Sequence, residues 1–463
     1  MSRTNTLAVI AAVALTTSCA TLPPLEGRIS TTALADTAET RLGRAVAAGV
    51  AANPGKTGIH PLFKPREAFA SRALLAANAE RSLDVQYYIW HGDVVGYLLF
   101  EELLKAAERG VRVRLLLDDI NTGGLDSTIA VLDAHPNLEV RLYNPVAQRG
   151  VRVLNFITDF ARVNKRMHNK SFTADNEVSI VGGRNIGNEY FAAGEGVAFI
   201  DLDVIAIGPA ARDISNQFDL YWNSPSAYAA ASLIGAPGPD DAATLDAKFK
   251  STRSDPEAVT YLEALRTTTI VRDALERRLV FEWATTRLVR DDPAKTLDTT
   301  ARTDILLFPE LVRTIGRPEK TLDLISPYLV PGDGGTAALV AAAGRGVKVR
   351  ILTNSLAASD VAAVHAGYAK RREDLLRAGV QLYELKPTAE RDSRDEKSRD
   401  EKSRFGSSSS SGLHAKTFAV DRSRAFVGSF NFDQRSARLN TEMGLVIESP
   451  TLAQRLAEFF DTV

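Results

Sequence analysis

The sequence predicts an α/β protein of two similar domains whose halves assemble one active site. Three observations carry this expectation: a strand, helix, strand phrase that occurs twice, a histidine motif that occurs twice at a matching offset, and a chain of 463 residues, longer than one hydrophobic core supports. The hydrophobic fraction of 45% and charged fraction of 24% are those of an ordinary globular protein, so the main body is expected to fold in water. Lys and Arg total 56 against 57 for Asp and Glu, which leaves no net positive field to gather a nucleic-acid backbone, and no nucleic-acid partner is expected.

The N-terminus reads as an address. Arg3 precedes the apolar run 7–15, and Thr16-Thr17-Ser18-Cys19-Ala20 follows, the charged, apolar and small-residue order of a secretory signal. The run is too short to span a bilayer as a helix. Cys19 is the only cysteine, which excludes an internal disulfide and a multi-cysteine metal site. Placed directly after small residues, it resembles the lipobox of bacterial lipoproteins, with Thr16 standing where such boxes usually carry Leu. Residues 1–19 are therefore expected to form a lipoprotein-type signal, cleaved before Cys19, which is lipidated as the new N-terminus and tethers the chain to a membrane surface in the cell envelope, facing the periplasm. Ala20 in place of Asp favours the outer membrane. The competing reading is an ordinary signal followed by a buried free cysteine.

Residues 20–60 read as a tether with one helical segment, and the first domain is expected over 61–230. Within it, 82–90 is an apolar, aromatic and β-branched strand, 98–108 carries apolar residues at helical spacing, Arg109-Gly110 stops that helix, and 111–117 is a second strand. The phrase returns about 240 residues later, far beyond solenoid periods, as strand 321–325, helix 335–343, stop Arg345-Gly346 and strand 347–352. A further pair, 138–145 and 379–387, repeats at a similar offset. The second domain is expected over 301–463. Between them 231–300 is Ala-rich, reads as a helical connector and is expected to carry specificity. Residues 391–412 repeat Arg-Asp-Glu-Lys-Ser and end in serines, a polar low-complexity loop beside the second motif that reads equally as a lid or as a solvated insertion.

The chemistry lies in His168-Asn169-Lys170 with Asp175, and His414-Ala415-Lys416 with Asp421: both obey H-x-K-x-x-x-x-D. With Lys and Asp each near 5% of residues, a histidine meets this pattern by chance about 0.3% of the time, so two among six histidines point to function. On a strand, His and Lys two apart share a face and aim at one group. Lysine rarely ligates metal and imidazole works near neutral pH, so that group is expected to be a phosphate handled without metal or cofactor. Small-residue turns follow each motif, and Asn185, Ser429 and Asn431 in them are expected to donate to phosphoryl oxygens together with Lys170 and Lys416. Each histidine needs a carboxylate on its far nitrogen. Glu442 is assigned to His414, and Asp201 to His168 with Asp203 in reserve. Asp175 and Asp421 read equally well as supports of the catalytic residues and as turn formers. The remaining histidines, His60, His91, His135 and His365, read as structural.

These residues resemble the phospholipase D superfamily, which is named for this duplicated motif. From about His60 onward, 85–90, 353–358 and 429–433 are similar to bacterial cardiolipin synthases of the C type, from which the chain departs in its repetitive charged loop and its stop at Val463. The resemblance implies two phospholipase D-like domains, each a mixed β-sheet flanked by helices, related by a pseudo-twofold axis with one shared active site. It also implies a phosphatidyltransferase acting on phosphatidylglycerol and phosphatidylethanolamine, with His168 as nucleophile and His414 as acid and base. A hydrolase or nuclease would use the same residues.

Overall fold

The computed structural model describes residues 21–194, 198–276, 278–297, 302–359, 362–386 and 412–462. The signal, Cys19 and 391–411 lie outside the described residues.

The first sheet holds β1 (Thr57–Leu62), β2 (Ser82–Tyr87), β3 (Arg112–Asp118), β4 (Leu138–Tyr143), β5 (Ser171–Ala174), β6 (Val178–Gly182), β7 (Asp203–Ile207), β8 (Ala227–Ala229) and β9 (Glu282–Ala284) in the order β8-β4-β3-β2-β5-β6-β7-β1-β9. The second holds β10 (Thr286–Arg290), β11 (Thr321–Ile325), β13 (Lys348–Asn354), β14 (Gln381–Leu385), β15 (Thr417–Val420), β16 (Arg424–Gly428) and β18 (Met443–Ile447) in the order β10-β18-β16-β15-β11-β13-β14; β12 (Leu329–Val330) and β17 (Phe432–Asp433) form a separate short ladder.

Both sheets are mixed for the same reason. The apolar runs of β2, β3 and β4 pair in parallel, which requires crossovers, supplied by helices Val94–Glu108 and Asp126–Asp133. Gly110 at φ 89 supplies the left-handed turn that ends the first of these helices. β5, β6 and β7 then run antiparallel through short turns. In the second half β11, β13 and β14 are parallel across helices Gly332–Gly344 and Ala362–Arg377, and β15, β16 and β18 are antiparallel. Seven strands of the first sheet, β4-β3-β2-β5-β6-β7-β1, match the second in order, β14-β13-β11-β15-β16-β18-β10, and β8 and β9 extend the first at its edges, so the chain is a duplicated α/β unit.

The duplication reaches individual charges. Arg114 forks onto Asp84 at 2.6 and 2.8 Å between β3 and β2, and Arg350 onto Asp323 at 2.6 and 2.9 Å between β13 and β11. Removing one partner of such a buried pair costs about 3–5 kcal/mol, because the other charge is left desolvated. The halves meet through the antiparallel strands. Ile59, Val181, Val204 and Ala206 pack with Ala419, Ala425, Val427, Leu445 and Ile447 in one core, and this interface sets the ends of β5 and β15 beside each other.

Two expected boundaries are corrected. β1 starts at Thr57 and pairs with β7 and β9, so the first domain begins inside the stretch read as tether. Residues 21–56 are docked: Arg28 donates to the Asn223 and Ser224 carbonyls at 2.8 and 2.5 Å, and Asp219 accepts the Ala33 amide at 2.8 Å. The stretch 231–300 does carry helices, from Asp241 to Leu275, but closes with β9 and β10, one edge strand for each sheet. Only the tertiary pairing partners of these two short strands distinguish them from loop. Among the described residues, no helix is long and apolar enough to cross a membrane.

Candidate active site

Both motifs lie on extended chain that runs into β5 and β15 but precedes the regular ladder. His168 and Lys170 stand just before Ser171, and His414 and Lys416 just before Thr417. What fixes them instead is the other half of the molecule. The His168 amide donates to the Thr441 carbonyl at 2.9 Å, and the His414 amide to the Ile200 carbonyl at 2.8 Å. Each motif is therefore anchored on the carboxylate-bearing segment of the opposite domain.

That crossing corrects the assigned partners. His168 Nδ1 lies 2.8 Å from Glu442 Oε2, and His414 Nδ1 lies 2.6 Å from Asp201 Oδ2. Within one unit the histidine and carboxylate strands are close along the chain, and that proximity suggested the wrong pairs. Asp203, the reserve, is held by Arg72 at 2.9 Å and Arg184 at 3.3 Å, a buried structural cluster.

The lysines behave as expected in sharing the histidine face. Lys416 Nζ is 3.2 and 3.1 Å from the two ring nitrogens of His414, and Lys170 Nζ donates to the His168 carbonyl at 2.6 Å. All four side chains are nearly buried, and their charges act on one another across the domain boundary. Burial first, then Lys170, Lys416 and His414, hold the His168 imidazole well below its usual value. Burial and Lys416 hold His414 down to about 4 against the opposing pull of Asp201. Lys170 is likewise held well below the ordinary lysine range by burial and by Lys416, against Glu442. Both imidazoles are thus neutral at neutral pH, each with Nδ1 against a carboxylate; the Nε2 of His414 lies within reach of the Lys416 ammonium.

The two carboxylates differ. Burial would raise Asp201, but His414 and Lys416 outweigh it and bring it to about 2, so it is ionised. Burial dominates at Glu442 and raises it to about 7 despite Lys170 and Ser429, so it sits at the edge of ionisation.

The turn residues are redistributed. Ser429 donates to Glu442 Oε2 at 2.5 Å and accepts the Met443 amide at 3.0 Å, so it holds the carboxylate rather than a phosphate. Asn185 accepts the Ile89 amide and donates to the Tyr190 hydroxyl at 3.0 Å, and Tyr190 packs its ring 5.0 Å from His414. Asn431 alone of the three keeps a buried side-chain oxygen without a protein partner. The turn amides are also spent, Gly183 on the Leu202 carbonyl and Ser429 on the Met443 carbonyl. The glycine has another use: a Cβ at Gly183 would lie 2.1 Å from Asp201 Oδ1, so its absence makes the seat for that carboxylate.

Asp175 and Asp421 belong to the turns, which removes them from the catalytic set. Both have positive φ, 51 and 53 degrees, at the far ends of β5 and β15. Asp175 accepts the Glu80, Arg81 and Ser82 amides, and Asp421 those of Glu319, Lys320 and Thr321. Each ties its hairpin to the start of the neighbouring parallel strand. We expect Asp175→Ala to lower stability by about 3 kcal/mol, from unpaired buried amides, while the folded fraction keeps its turnover per molecule; thermal melts and active-site titration check this, and a turnover defect without destabilisation contradicts it.

Sequence reasoning missed the supports that come from elsewhere. Asp291, in the connector, accepts the Glu442 amide at 2.8 Å and the Lys295 ammonium at 2.9 Å, fixing the backbone under Glu442. Tyr88 sets its edge 4.9 Å from His168, and Phe199 stacks on His414 at 5.5 Å. Tyr88 was visible only as one aromatic in a buried strand, and Asp291 carried no signal. The described residues also bring His91, Asp93 and Glu189 within 4.8 Å. The Asp93 oxygens are taken by the Gly96 and Asn188 amides and His91 faces Glu189 at 3.3 Å, which is a helix cap with an ion pair.

Residues 74–222 and 311–463 both match the family described as cardiolipin synthase, PLD-like domain, and so cover the two halves that share the site. The chain belongs to this family, within the phospholipase D superfamily. Among curated relatives, cardiolipin synthase C of Escherichia coli K12 is 49% identical over 420 residues, 91% of this chain and 87% of that protein. An uncharacterized Helicobacter pylori protein is 31% identical over 90% of this chain and 81% of its own length. The crystal structure of phosphatidylserine synthase from Haemophilus influenzae Rd KW20 superposes with a TM-score of 0.56 at 15% identity, covering 91% of this chain and 89% of that one, a likeness of fold. The duplicated sheets and crossed site are thus the framework of a phospholipase D-superfamily enzyme.

Proposed function

We propose that this enzyme transfers a phosphatidyl group between phospholipids and forms cardiolipin, through a phosphohistidine on His168. The observation that carries the reading is the single buried constellation in which each domain's histidine is held by the other domain's carboxylate between two lysines. The extent of likeness to cardiolipin synthase C supports the choice of substrates.

The residues act in turn. His168, kept neutral, offers its Nε2 lone pair to the phosphorus of a phosphatidylglycerol diester. The bond from phosphorus to the glycerol oxygen breaks, and His414 protonates that oxygen as glycerol leaves. A phosphodiester between Lys170 and Lys416 offsets their charge, which raises His414 so that it holds this proton beside ionised Asp201. His414 then takes the proton from the hydroxyl of a second phosphatidylglycerol, whose oxygen attacks phosphorus and displaces His168. The lysines balance the charge that grows on the phosphoryl oxygens. Phosphatidylethanolamine serves as a donor by the same steps, releasing ethanolamine. Water as acceptor gives phosphatidic acid.

Mass spectrometry of lipids made by the purified chain from defined phosphatidylglycerol and phosphatidylethanolamine mixtures tests the reading. Cardiolipin with released glycerol or ethanolamine is expected; phosphatidic acid alone makes it a hydrolase, and DNA cleavage without lipid turnover rejects it. We also propose that Cys19 is acylated and holds the enzyme at the periplasmic side of the envelope, with the outer membrane favoured. The signal-like order of residues 3–20 supports this, and the same spectrometer applied to the chain isolated from cells would find an unmodified Cys19 if it is wrong.

A further inference from the structure

We propose that the segment 151–160, at the approach to His168, is a preformed wedge that docks the enzyme on a phospholipid bilayer by burying its apolar side chains among the lipids. The choice of occupant rests on the phospholipid reading above. Val151, Val153, Leu154, Phe156, Ile157 and Phe160 are 51%, 56%, 39%, 38%, 78% and 58% exposed, the densest run of exposed large apolar side chains in the described residues. Scattered exposed apolar residues are ordinary; six within ten positions are not.

The polarity of the segment is reversed relative to a loop built for water. Its arginine and asparagine side chains turn toward the protein, while Thr158 is exposed and Asp159 half-exposed. Arg149 pairs with Asp119 at 2.7 Å and with Asp126 at 2.6 Å, and Arg152 donates to the Asp119 carbonyl at 2.6 Å. Asn155, 1% exposed, accepts the Gln148 amide and donates to the Gln148 and Arg152 carbonyls. Arg162 donates to Asn144 Oδ1 and the Pro145 carbonyl, both at 2.7 Å. These bonds fix short helical turns from Arg152 to Val163 from beneath and leave the apolar residues outward. Little ordering entropy remains to be lost on insertion.

Charge and position agree with the occupant. Arg149, Arg152, Arg162 and Lys165 outnumber by one the carboxylates among them, Asp119, Asp126 and Asp159, so the base of the wedge does not repel an anionic surface. The wedge continues directly into the catalytic segment. Arg435, whose charge acts on His168, donates to the Asn164 side chain and carbonyl, both at 2.7 Å. A lipid whose acyl chains stay in the bilayer reaches His168 only if the site is held at the headgroup plane, which side chains immersed about 5–10 Å would do. A second copy of the chain is the weaker occupant, since stable protein interfaces use about 20–30 residues a side and this surface offers six.

The test uses the full chain carrying Cys19→Ser, so that no acyl anchor contributes, with and without Ile157→Asp and Phe160→Asp, both at exposed positions. Co-sedimentation with phosphatidylglycerol and phosphatidylcholine vesicles should fall at least about tenfold in the double variant, and turnover on the vesicles should fall with it. Turnover on water-dispersed short-chain phosphatidylglycerol should stay within about twofold. Unchanged vesicle binding overturns the proposal, as does a dimer that becomes monomer while vesicle binding persists. If the parent chain turns over no lipid yet binds vesicles through the wedge, the functional reading fails and the docking surface stands.

Discussion

His168→Ala and His414→Ala are each expected to lower phosphatidyl transfer by at least about 10⁴-fold, because one removes the atom that bonds to phosphorus and the other the group that moves the proton at both steps. The two losses should differ in kind. With a diester bearing a p-nitrophenol leaving group, bond breaking needs no protonation, so the His414 variant should release one equivalent of nitrophenol in a burst and stall as phosphoenzyme. The His168 variant should give no burst. Rapid quench with a labelled donor reads both; a burst from His168→Ala would exchange the two roles, and full turnover in either variant would end the shared-site account.

Asp201→Asn and Glu442→Gln carry the second largest effect, and the crossed geometry dictates which histidine each resembles. Asp201 lies 2.6 Å from His414, so Asp201→Asn should reproduce the burst and stall of the His414 variant; Glu442 lies 2.8 Å from His168, so Glu442→Gln should lose the burst. Each should cost about 10³–10⁴-fold, because an amide oriented to donate cannot hold the imidazole tautomer that leaves Nε2 free for reaction. A purely structural role would slow both steps alike and lower the melting temperature without changing the burst. Were Asp201→Asn to abolish the burst while Glu442→Gln preserved it, the pairing described above would be wrong.

The contrast between what could and could not be read from the chain follows the range of the interactions. β2, β3 and their crossover helix were legible because an apolar run and a 3.6-residue period are local signals, and the return of the phrase at β11 and β13 made the duplication legible too. β9 and β10 were not, because three and five residues of mixed polarity become strand only by pairing with β1 and β18. His168, Lys170, His414 and Lys416 stood out because the chemistry needs two residue types at fixed spacing on one face. Ser429 and Asn185 were placed in the right neighbourhood with the wrong role. A polar residue in a small-residue turn is visible in the sequence, and only packing shows that its hydrogen bonds go to Glu442 and Tyr190.

By itself the sequence determined that two α/β units exist, and it singled out a histidine and a lysine from each, with Glu442 and Asp201, as the groups of the candidate site. The tertiary structure decided how these are wired: His168 to Glu442, His414 to Asp201, the turn aspartates to backbone amides, and a connector aspartate to the backbone beneath Glu442. The physical reason is that composition and spacing record what a segment does with its own neighbours. The partner of a buried imidazole is chosen by how the two sheets pack face to face, a contact between residues more than two hundred positions apart.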